Sequence, residues 1–309
     1  MTLAILGSSL VLSLLVFLSL GDRAEIPRRL TVLPSLVIGL LGGVVVRGIV
    51  GIVTVSWPGV LVLELACVGG LALCLMLWRF YRDPERVPPG DAGGIVSPAD
   101  GKIIYVRKVE AGTVPYSEKE GRKFSLTDFV RSDVLSREGV LIGFSLNFLD
   151  VHVNRAPVGG RICLIQHIAG KFLSLKEPEA PMQNERALTV IDNGVFKVGV
   201  VLIASRMVRQ IVSYVTEGSE IRLGDRIGMI RFGSQVDLFL PNIPGLQVLV
   251  TCGDRVKAGT STVARVPLAS RRRWSNRARR CPANLMPQAE FMRIAKTVIS
   301  PREAQREIP

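Results

Sequence analysis

The chain has 309 residues, a formal net charge of +13 and a hydrophobic content of 48%. Its length allows two ordinary domains, but the apolar residues are concentrated before residue 80, so the average composition describes neither part. This distribution argues against a uniformly soluble chain and indicates a membrane segment followed by a separate domain.

The first predicted elements are two or three membrane helices. Leu3–Leu20 is an uncharged run of the length needed to cross about 30 Å of hydrocarbon. Two further apolar runs, at about 33–55 and 60–77, are interrupted only by Arg47 and Glu64. The first run could instead be a secretory signal, but it lacks a positive n-region and a small-residue cleavage site. Arg47 and Glu64 could form an intramembrane pair or could lie near the interfaces.

Basic residues flank these runs asymmetrically and predict their orientation. Arginines occur in the first loop, at 23, 28 and 29, and after the third run, at 79, 82 and 86. With three spans, the positive-inside rule puts the first loop and everything after residue 80 in the cytoplasm. The sequence therefore predicts a membrane anchor over residues 1–82, in the cell (inner) membrane, with the following domain on the cytoplasmic side.

Residues 83–264 predict a compact β-rich domain. Short runs of β-branched residues are separated by Gly, Asn, Asp and Pro, and Asp192-Asn193-Gly194 has the composition of a hairpin turn. The predicted fold class is α+β and β-rich, with two packed sheets preceded by the N-terminal transmembrane helices.

A basic tail, residues 265–309, follows this domain. It holds eleven Lys and Arg against three Glu, with "RRRWSNRARR" at its centre. Near an anchored domain the closest polyanion is anionic membrane lipid, which attracts each basic residue by about 1 kcal/mol. We therefore expect lipid and not nucleic acid as its partner, and a disordered solubilising tail is the alternative.

Only two histidines, His152 and His167, are available as an imidazole base near neutral pH. His167 lies within a predicted strand and reads as a structural residue. His152 lies where a strand opens into the loop of "FLDVHVNRAPVGG", a position typical of functional groups.

Asp100 and Ser234 complete a candidate set of acid, base and hydroxyl. Ser234 interrupts the apolar face of the predicted strand in "RFGSQVDLFLP", directly after Gly233. A serine needs a base to become nucleophilic, and the base needs an orienting group. Glycine leaves the preceding carbonyl accessible and tolerates strained backbone. Taken singly, Asp100 could be a turn residue in "IVSPADGK" and Ser234 a buried structural serine.

Five segments, in the same order over roughly residues 80–241, resemble the phosphatidylserine decarboxylase family of the shorter proenzyme type. They are "FYRDPER", "VSPADGK", "VHVNRAP", "NER" and "IGMIRFGSQVDLFLP".

The resemblance implies a self-cleaving enzyme. The chain would be cut between Gly233 and Ser234 into a β chain, 1–233, and an α chain, 234–309, which form a heterodimer. Ser234 would become a covalent pyruvoyl group, and Asp100 and His152 would drive the cut. The enzyme would convert phosphatidylserine to phosphatidylethanolamine and CO2 through a Schiff base, with no pyridoxal phosphate and no metal.

Substrate-binding residues are less defined. Arg155 could bind the phosphate or carboxylate of the lipid by its residue type, or could form a structural ion pair. The "NER" segment, Asn184, Glu185 and Arg186, is implied by the resemblance without individual roles. Three alternatives stay open: an archaeal-type ether-lipid substrate, an inactive relative, and a lipoyl-like membrane adaptor with Lys257 as its attachment site.

Overall fold

The computed structural model describes residues 1–23, 26–91, 93–111, 113–115, 123–125, 135–171, 173–174, 180–205, 211–230 and 234–267. Three apolar helices precede a β-rich domain, which confirms the α+β fold class. The basic tail from residue 268 onward lies outside the described residues.

The three N-terminal helices are each long and apolar enough to span a membrane. They are α1 (Thr2–Arg23), α2 (Arg28–Ile52) and α3 (Trp57–Phe80). Glycines allow α2 to approach α1 closely, because a Cβ on Gly39 would lie 2.8 Å from the Cα of Leu10. Small residues at such contacts are the usual way that helices pack within a membrane.

Arg47 and Glu64, the two charged residues that interrupt the apolar runs, both bond to α1. The Nε of Arg47 donates to the hydroxyl of Thr2 at 2.9 Å. The hydroxyl of Ser8 donates to Glu64 at 2.6 Å. Each residue therefore has a polar partner on the neighbouring helix, which is how a helix bundle accommodates polar groups.

An eight-stranded antiparallel sheet forms the centre of the second region. Its strands, in spatial order, are β11 (Glu220–Ile221), β7 (Gly160–Ile168), β8 (Arg186–Asp192), β9 (Lys197–Ala204), β13 (Ser234–Pro241), β5 (Gly139–Leu146), β2 (Gly101–Val109) and β15 (Arg255–Val256). The strand that begins with Ser234 is central, with β9 on one side and β5 on the other.

Smaller sheets accompany the main one. β1 (Gly94–Val96), β16 (Thr262–Arg265) and β14 (Gln247–Val248) form one, and β10 (Ile211–Ser213), β12 (Arg226–Ile230) and β6 (Val153–Arg155) form another. β3 (Thr113–Pro115) pairs with β4 (Lys123–Ser125), and Ala180–Gln183 is a single helical turn. The first two sheets share a hydrophobic core with one face of the main sheet, through residues such as Ile95, Ile227 and Ala264.

β13 is buried on both faces. Val236, Leu238 and Leu240 point into the shared core. Phe239 belongs to a second core on the opposite face, where Asp237 is also buried. The polar and apolar alternation of this strand therefore does not separate solvent from core, because both faces are covered.

Candidate active site

One end of the main sheet brings the backbones of two predicted site residues together. Ser234 opens β13 and pairs with Leu146, the last residue of β5, and with Ala204, the last residue of β9. Gly101 opens β2 with a φ of +134°, and a Cβ there would lie 3.3 Å from the Cα of Leu146. Only glycine fits this approach, which places Asp100 at the same end of the sheet as Ser234.

His152 reaches this end through the connection between β5 and β6. Its carbonyl accepts a hydrogen bond from the amide of Ile230 at 3.4 Å. Ser234 follows Ile230 by four residues, a span of at most about 15 Å even when fully extended. The side chain of Ser234 is outside the described part of the structure, so contact between its hydroxyl and His152 stays a prediction.

The ring of His152 is fully buried and its tautomer is defined. Nδ1 lies 2.9 Å from the carbonyl oxygen of Asp150. Because a carbonyl only accepts, Nδ1 carries the proton and Nε2 bears the lone pair. Nε2 is buried and has no hydrogen-bond partner among the described residues. Phe80, the last residue of α3, covers the ring with a centroid separation of 4.2 Å.

Burial lowers the pKa of His152 to about 4, against the opposing effects of the Asp150 carbonyl and the Asp100 charge. The imidazole is therefore neutral at physiological pH. A neutral ring with an unpartnered, water-excluded Nε2 can accept a proton from a neighbouring hydroxyl, as a general base does.

Asp100 is held by a cation and by two backbone amides. Arg86 pairs with both of its carboxylate oxygens. The amide of Ala258 donates to Asp100 at 2.7 Å and that of Val151 at 3.3 Å. Asp100 thus fixes the backbone next to His152, whereas the Asp150 carbonyl, which sequence reasoning missed, orients the imidazole.

The segment that joins α3 to the β domain also enters the site. Phe80 covers His152, and Arg82 donates from Nη2 to the carbonyl of Leu149 at 2.6 Å. Arg86, four residues later, holds Asp100. These residues belong to the segment "FYRDPER", but its change from apolar to basic residues indicates only the end of a membrane helix and not a role in the site.

Arg155 forms the structural ion pair that was one of its two expected roles. Its side chain is only 3% exposed and pairs with Asp83 at 3.0 Å. It also donates to the carbonyls of Pro84 at 2.9 Å and Gly224 at 3.1 Å. Arg155 therefore attaches the segment after α3 to the β domain.

The "NER" residues support the strand beside Ser234. Asn184 donates to the carbonyl of Ala204 at 2.9 Å, and Glu185 pairs with His167 at 2.8 Å. Arg186 is buried and donates to the Asn184 carbonyl at 3.0 Å. These contacts hold the end of β9 in place, and they give His167 the structural environment expected of it.

No group of three or more His, Cys, Asp or Glu side chains that could hold a metal ion occurs within the described ranges. What the described side chains offer is acid–base chemistry. A neutral imidazole with its lone pair free lies near the start of a strand that begins with serine and follows a glycine.

The chain matches the model of a family described as phosphatidylserine decarboxylase over residues 73–264, more than half of its length. This match begins inside α3 and ends inside β16, so it covers the whole candidate site.

Individual relatives agree. A protein of Polynucleobacter asymbioticus named phosphatidylserine decarboxylase proenzyme is 34% identical over 224 residues, which cover 69% of this chain and 94% of that protein. One of the same name from Symbiobacterium thermophilum is 38% identical, covering 65% and 83%. A Methanothermobacter thermautotrophicus protein, provisionally named archaetidylserine decarboxylase proenzyme, is 41% identical, covering 61% and 80%.

Proposed function

The chain belongs to the phosphatidylserine decarboxylase family, and we propose that it cleaves itself between Gly233 and Ser234 and then converts phosphatidylserine to phosphatidylethanolamine and CO2. The observation that carries this proposal is the neutral, buried His152, whose Nε2 has no partner among the described residues. A base of this kind is what activation of a serine requires.

In the cleavage step, Nε2 of His152 takes the hydroxyl proton of Ser234. The serine oxygen attacks the carbonyl carbon of Gly233, the peptide C–N bond breaks, and the nitrogen receives the proton, so an amide becomes an ester. Nε2 of His152 then takes the Cα proton of Ser234, a Cα=Cβ double bond forms, the Cβ–O bond breaks and the Gly233 carboxylate leaves. The proton returns to Cβ as the resulting enamine becomes an imine. Addition of water and loss of ammonia leave a pyruvoyl group on the new chain end.

A pyruvoyl group fits this site because its parent serine opens a central strand at the end of the sheet that carries His152 and Asp100. When present, it supplies the electron sink that takes up the electron pair left by departing CO2. Nε2 of His152 takes a proton from the substrate's ammonium before the nitrogen reacts and returns it to the carbon that lost CO2. Asp100 and Arg86 hold the backbone of Val151, and Phe80 excludes water from the imidazole.

The two cleaved pieces stay together through the main sheet. β13 belongs to the α chain, 234–309, and it is bonded on both sides to strands of the β chain, 1–233. The proposed heterodimer therefore keeps two full antiparallel pairings after the cut. We assign residues 1–82 to the membrane anchor, 83–264 to the catalytic domain on its cytoplasmic side, and 265–309 to the basic tail, with anionic lipid as its partner.

A second candidate substrate is the archaeal-type ether lipid, archaetidylserine. The 41% identity to the provisionally named Methanothermobacter protein favours including it. The serine headgroup is the same in both lipids, and the chemistry at Ser234 and His152 would be unchanged. Parallel assays with diacyl and ether lipids of equal chain length, measuring CO2 release, distinguish the two.

Intact mass tests the proposal on the chain purified from membranes beside Ser234→Ala. We expect the first sample to give two fragments divided after Gly233, with the smaller one lighter by one ammonia than a chain beginning with serine. Ser234→Ala should stay whole. An uncut chain in both samples would identify an inactive relative and overturn the proposal.

A further inference from the structure

We propose that Arg82, together with Lys257 from the same cavity, binds the phosphodiester of the lipid headgroup, so that the segment after the membrane helix forms part of the substrate site. This inference rests on the proposed function and names a residue that the resemblance does not assign. It also replaces Arg155, whose guanidinium is already held by Asp83 and two carbonyls.

Arg82 has binding capacity left over. Its Nη2 donates to the Leu149 carbonyl at 2.6 Å and fixes the direction of the guanidinium. Its Nη1 is buried and has no partner among the described residues. A buried donor without an acceptor is costly, and an arginine presents its donors in a fork that matches the oxygens of a phosphate group. A ligand anion would satisfy Nη1.

Arg82 lines a cavity of about 600 Å³ that adjoins the candidate active site. The cavity reaches Asp100 and Val151, the residue before His152. Its charged and polar lining residues are Arg82, Glu85, Arg86, Asp100, Lys257 and Thr260. An anion held by Arg82 would therefore lie close to the reacting end of the same molecule.

The charges on the cavity wall favour an anion. Arg86 and Asp100 compensate each other, and Glu85 pairs with Arg226 at 2.6 Å. Arg82 and Lys257 have no carboxylate partner among the described residues, which leaves two positive charges for a ligand. The ammonium of Lys257 is on an exposed side chain and can move toward a bound anion.

The headgroup carries two anionic groups, a carboxylate and a phosphodiester, and the course of the reaction indicates which of them Arg82 binds. The carboxylate loses its charge as CO2 forms, so a cation bound to it would stabilise the substrate more than the transition state. The phosphodiester keeps its charge throughout. Binding it holds the substrate without opposing the chemistry.

The position of Arg82 along the chain agrees with this choice. α3 ends at Phe80, and Arg82 follows two residues later. When α3 spans the bilayer, its apolar stretch ends where the hydrocarbon ends. Arg82 then lies at the depth of the lipid phosphates, where basic side chains at helix ends commonly reside.

The test compares Arg82→Gln with Arg79→Gln, using short-chain phosphatidylserine in detergent micelles at constant surface fraction. Arg79 is exposed, lies one helical turn earlier and does not line the cavity. We expect Arg82→Gln to raise KM by about 10- to 100-fold with kcat within about twofold, because a charged hydrogen bond that is equal in ground and transition states is lost. Arg79→Gln should match the unmodified chain.

Inhibition constants provide a readout that is independent of turnover. Glycerophosphoethanolamine carries the phosphodiester and ethanolamine does not. Arg82→Gln should weaken inhibition by the first as much as it raises KM, and should leave inhibition by the second unchanged. Equal weakening of both would show a structural role, and equal effects of Arg79→Gln and Arg82→Gln would show general attraction to the membrane; either result overturns the inference.

Self-cleavage separates this inference from the proposed function. If the unmodified chain stays uncut, the proposed function fails before Arg82 is tested. If only Arg82→Gln stays uncut, Lys257→Gln provides the test, because that side chain is exposed and bonds to nothing at His152. Its KM should rise by about 3- to 10-fold, since the contact is more exposed, and an unchanged KM would then overturn the inference.

Discussion

Two buried polar clusters adjoin the main sheet, and they differ in whether a cation is hydrogen-bonded to the carboxylate. At the end of the sheet, Asp100 is paired with Arg86 beside His152. On the face opposite the shared core, Asp237 accepts from the Tyr105 hydroxyl at 2.6 Å and from the Gln235 amide at 2.9 Å. The first cluster borders a cavity, and the second is enclosed by the second core.

The difference shows how one sheet can hold carboxylates for separate purposes. Burial raises the pKa of Asp237 to about 6, because its two neutral donors and the charge of Arg107 compensate the lost hydration only in part. Such a group is suited to holding strands together. The cluster with Arg86 keeps strong charges next to the candidate base, an arrangement more typical of functional sites.

The largest expected effect is on the rate of self-cleavage, and it should distinguish His152 in the functional cluster from the structural residue His167. His152→Ala removes the proposed base, and we expect self-cleavage to slow by at least about 10³-fold. His167→Ala loses only a half-exposed contact with Glu185 and should cleave at the normal rate. The cleaved fraction over time, measured by intact mass, gives both rates. Similar rates for the two variants would remove the distinction between them.

Breaking the Arg86–Asp100 pair should have the next largest effect. Arg86→Gln removes the cation that is hydrogen-bonded to the Asp100 carboxylate and leaves it the two backbone amides. The side chain of Asp100 is only 9% exposed, so water cannot replace the lost partner. Removal of one partner of a buried pair costs about 3–5 kcal/mol. Thermal unfolding of the uncut Ser234→Ala chain in detergent measures the cost, with Arg222→Gln, an exposed arginine, as the control. If Arg86→Gln loses no more stability than Arg222→Gln, the Arg86–Asp100 pair is solvated.

Sequence reasoning found the N-terminal apolar helices and the β-rich fold, because hydropathy and strand patterns are local. It also singled out Asp100 and His152, whose catalytic roles stay predictions. It did not find the partners of those residues. Arg86 is 14 residues from Asp100 in the chain, and its pairing depends on how the segment after α3 folds back. The Asp150 carbonyl is a backbone group, which no residue pattern identifies.

The buried cluster around Asp237 was also missed, for a different reason. Alternation along "RFGSQVDLFLP" divides the strand into two faces but does not say whether the second face is covered. Here Tyr105, on β2, packs on the second face, and its hydroxyl donates a hydrogen bond to Asp237. Strand neighbours from distant parts of the chain therefore decide the environment of each face.

The smallest expected effect is on the free energy of unfolding at acid pH, to which Asp237 and His152 contribute with opposite pH dependence. The pKa of Asp237 is raised from 3.8 to about 6, so its contribution to folding is fully present below pH 4 and is lost as the pH rises to about 6. The pKa of His152 is lowered from 6.5 to about 4, so its contribution is present above pH 6.5 and is lost as the pH falls to about 4. Each shift corresponds to about 3 kcal/mol, and the two nearly cancel.

Asp237→Asn should remove that cancellation. The Asn oxygen can still accept from Tyr105, but the Gln235 amide, which also donates to the Tyr105 hydroxyl at 2.8 Å, then faces a second donor. The two chains are therefore compared by how their stability changes with pH and not by its absolute value. Between pH 6.5 and 4 the variant should lose up to about 3 kcal/mol of stability, while the parent chain stays nearly level. Thermal unfolding of both in the uncut Ser234→Ala background measures the two profiles. Parallel profiles would mean that Asp237 does not titrate in this range.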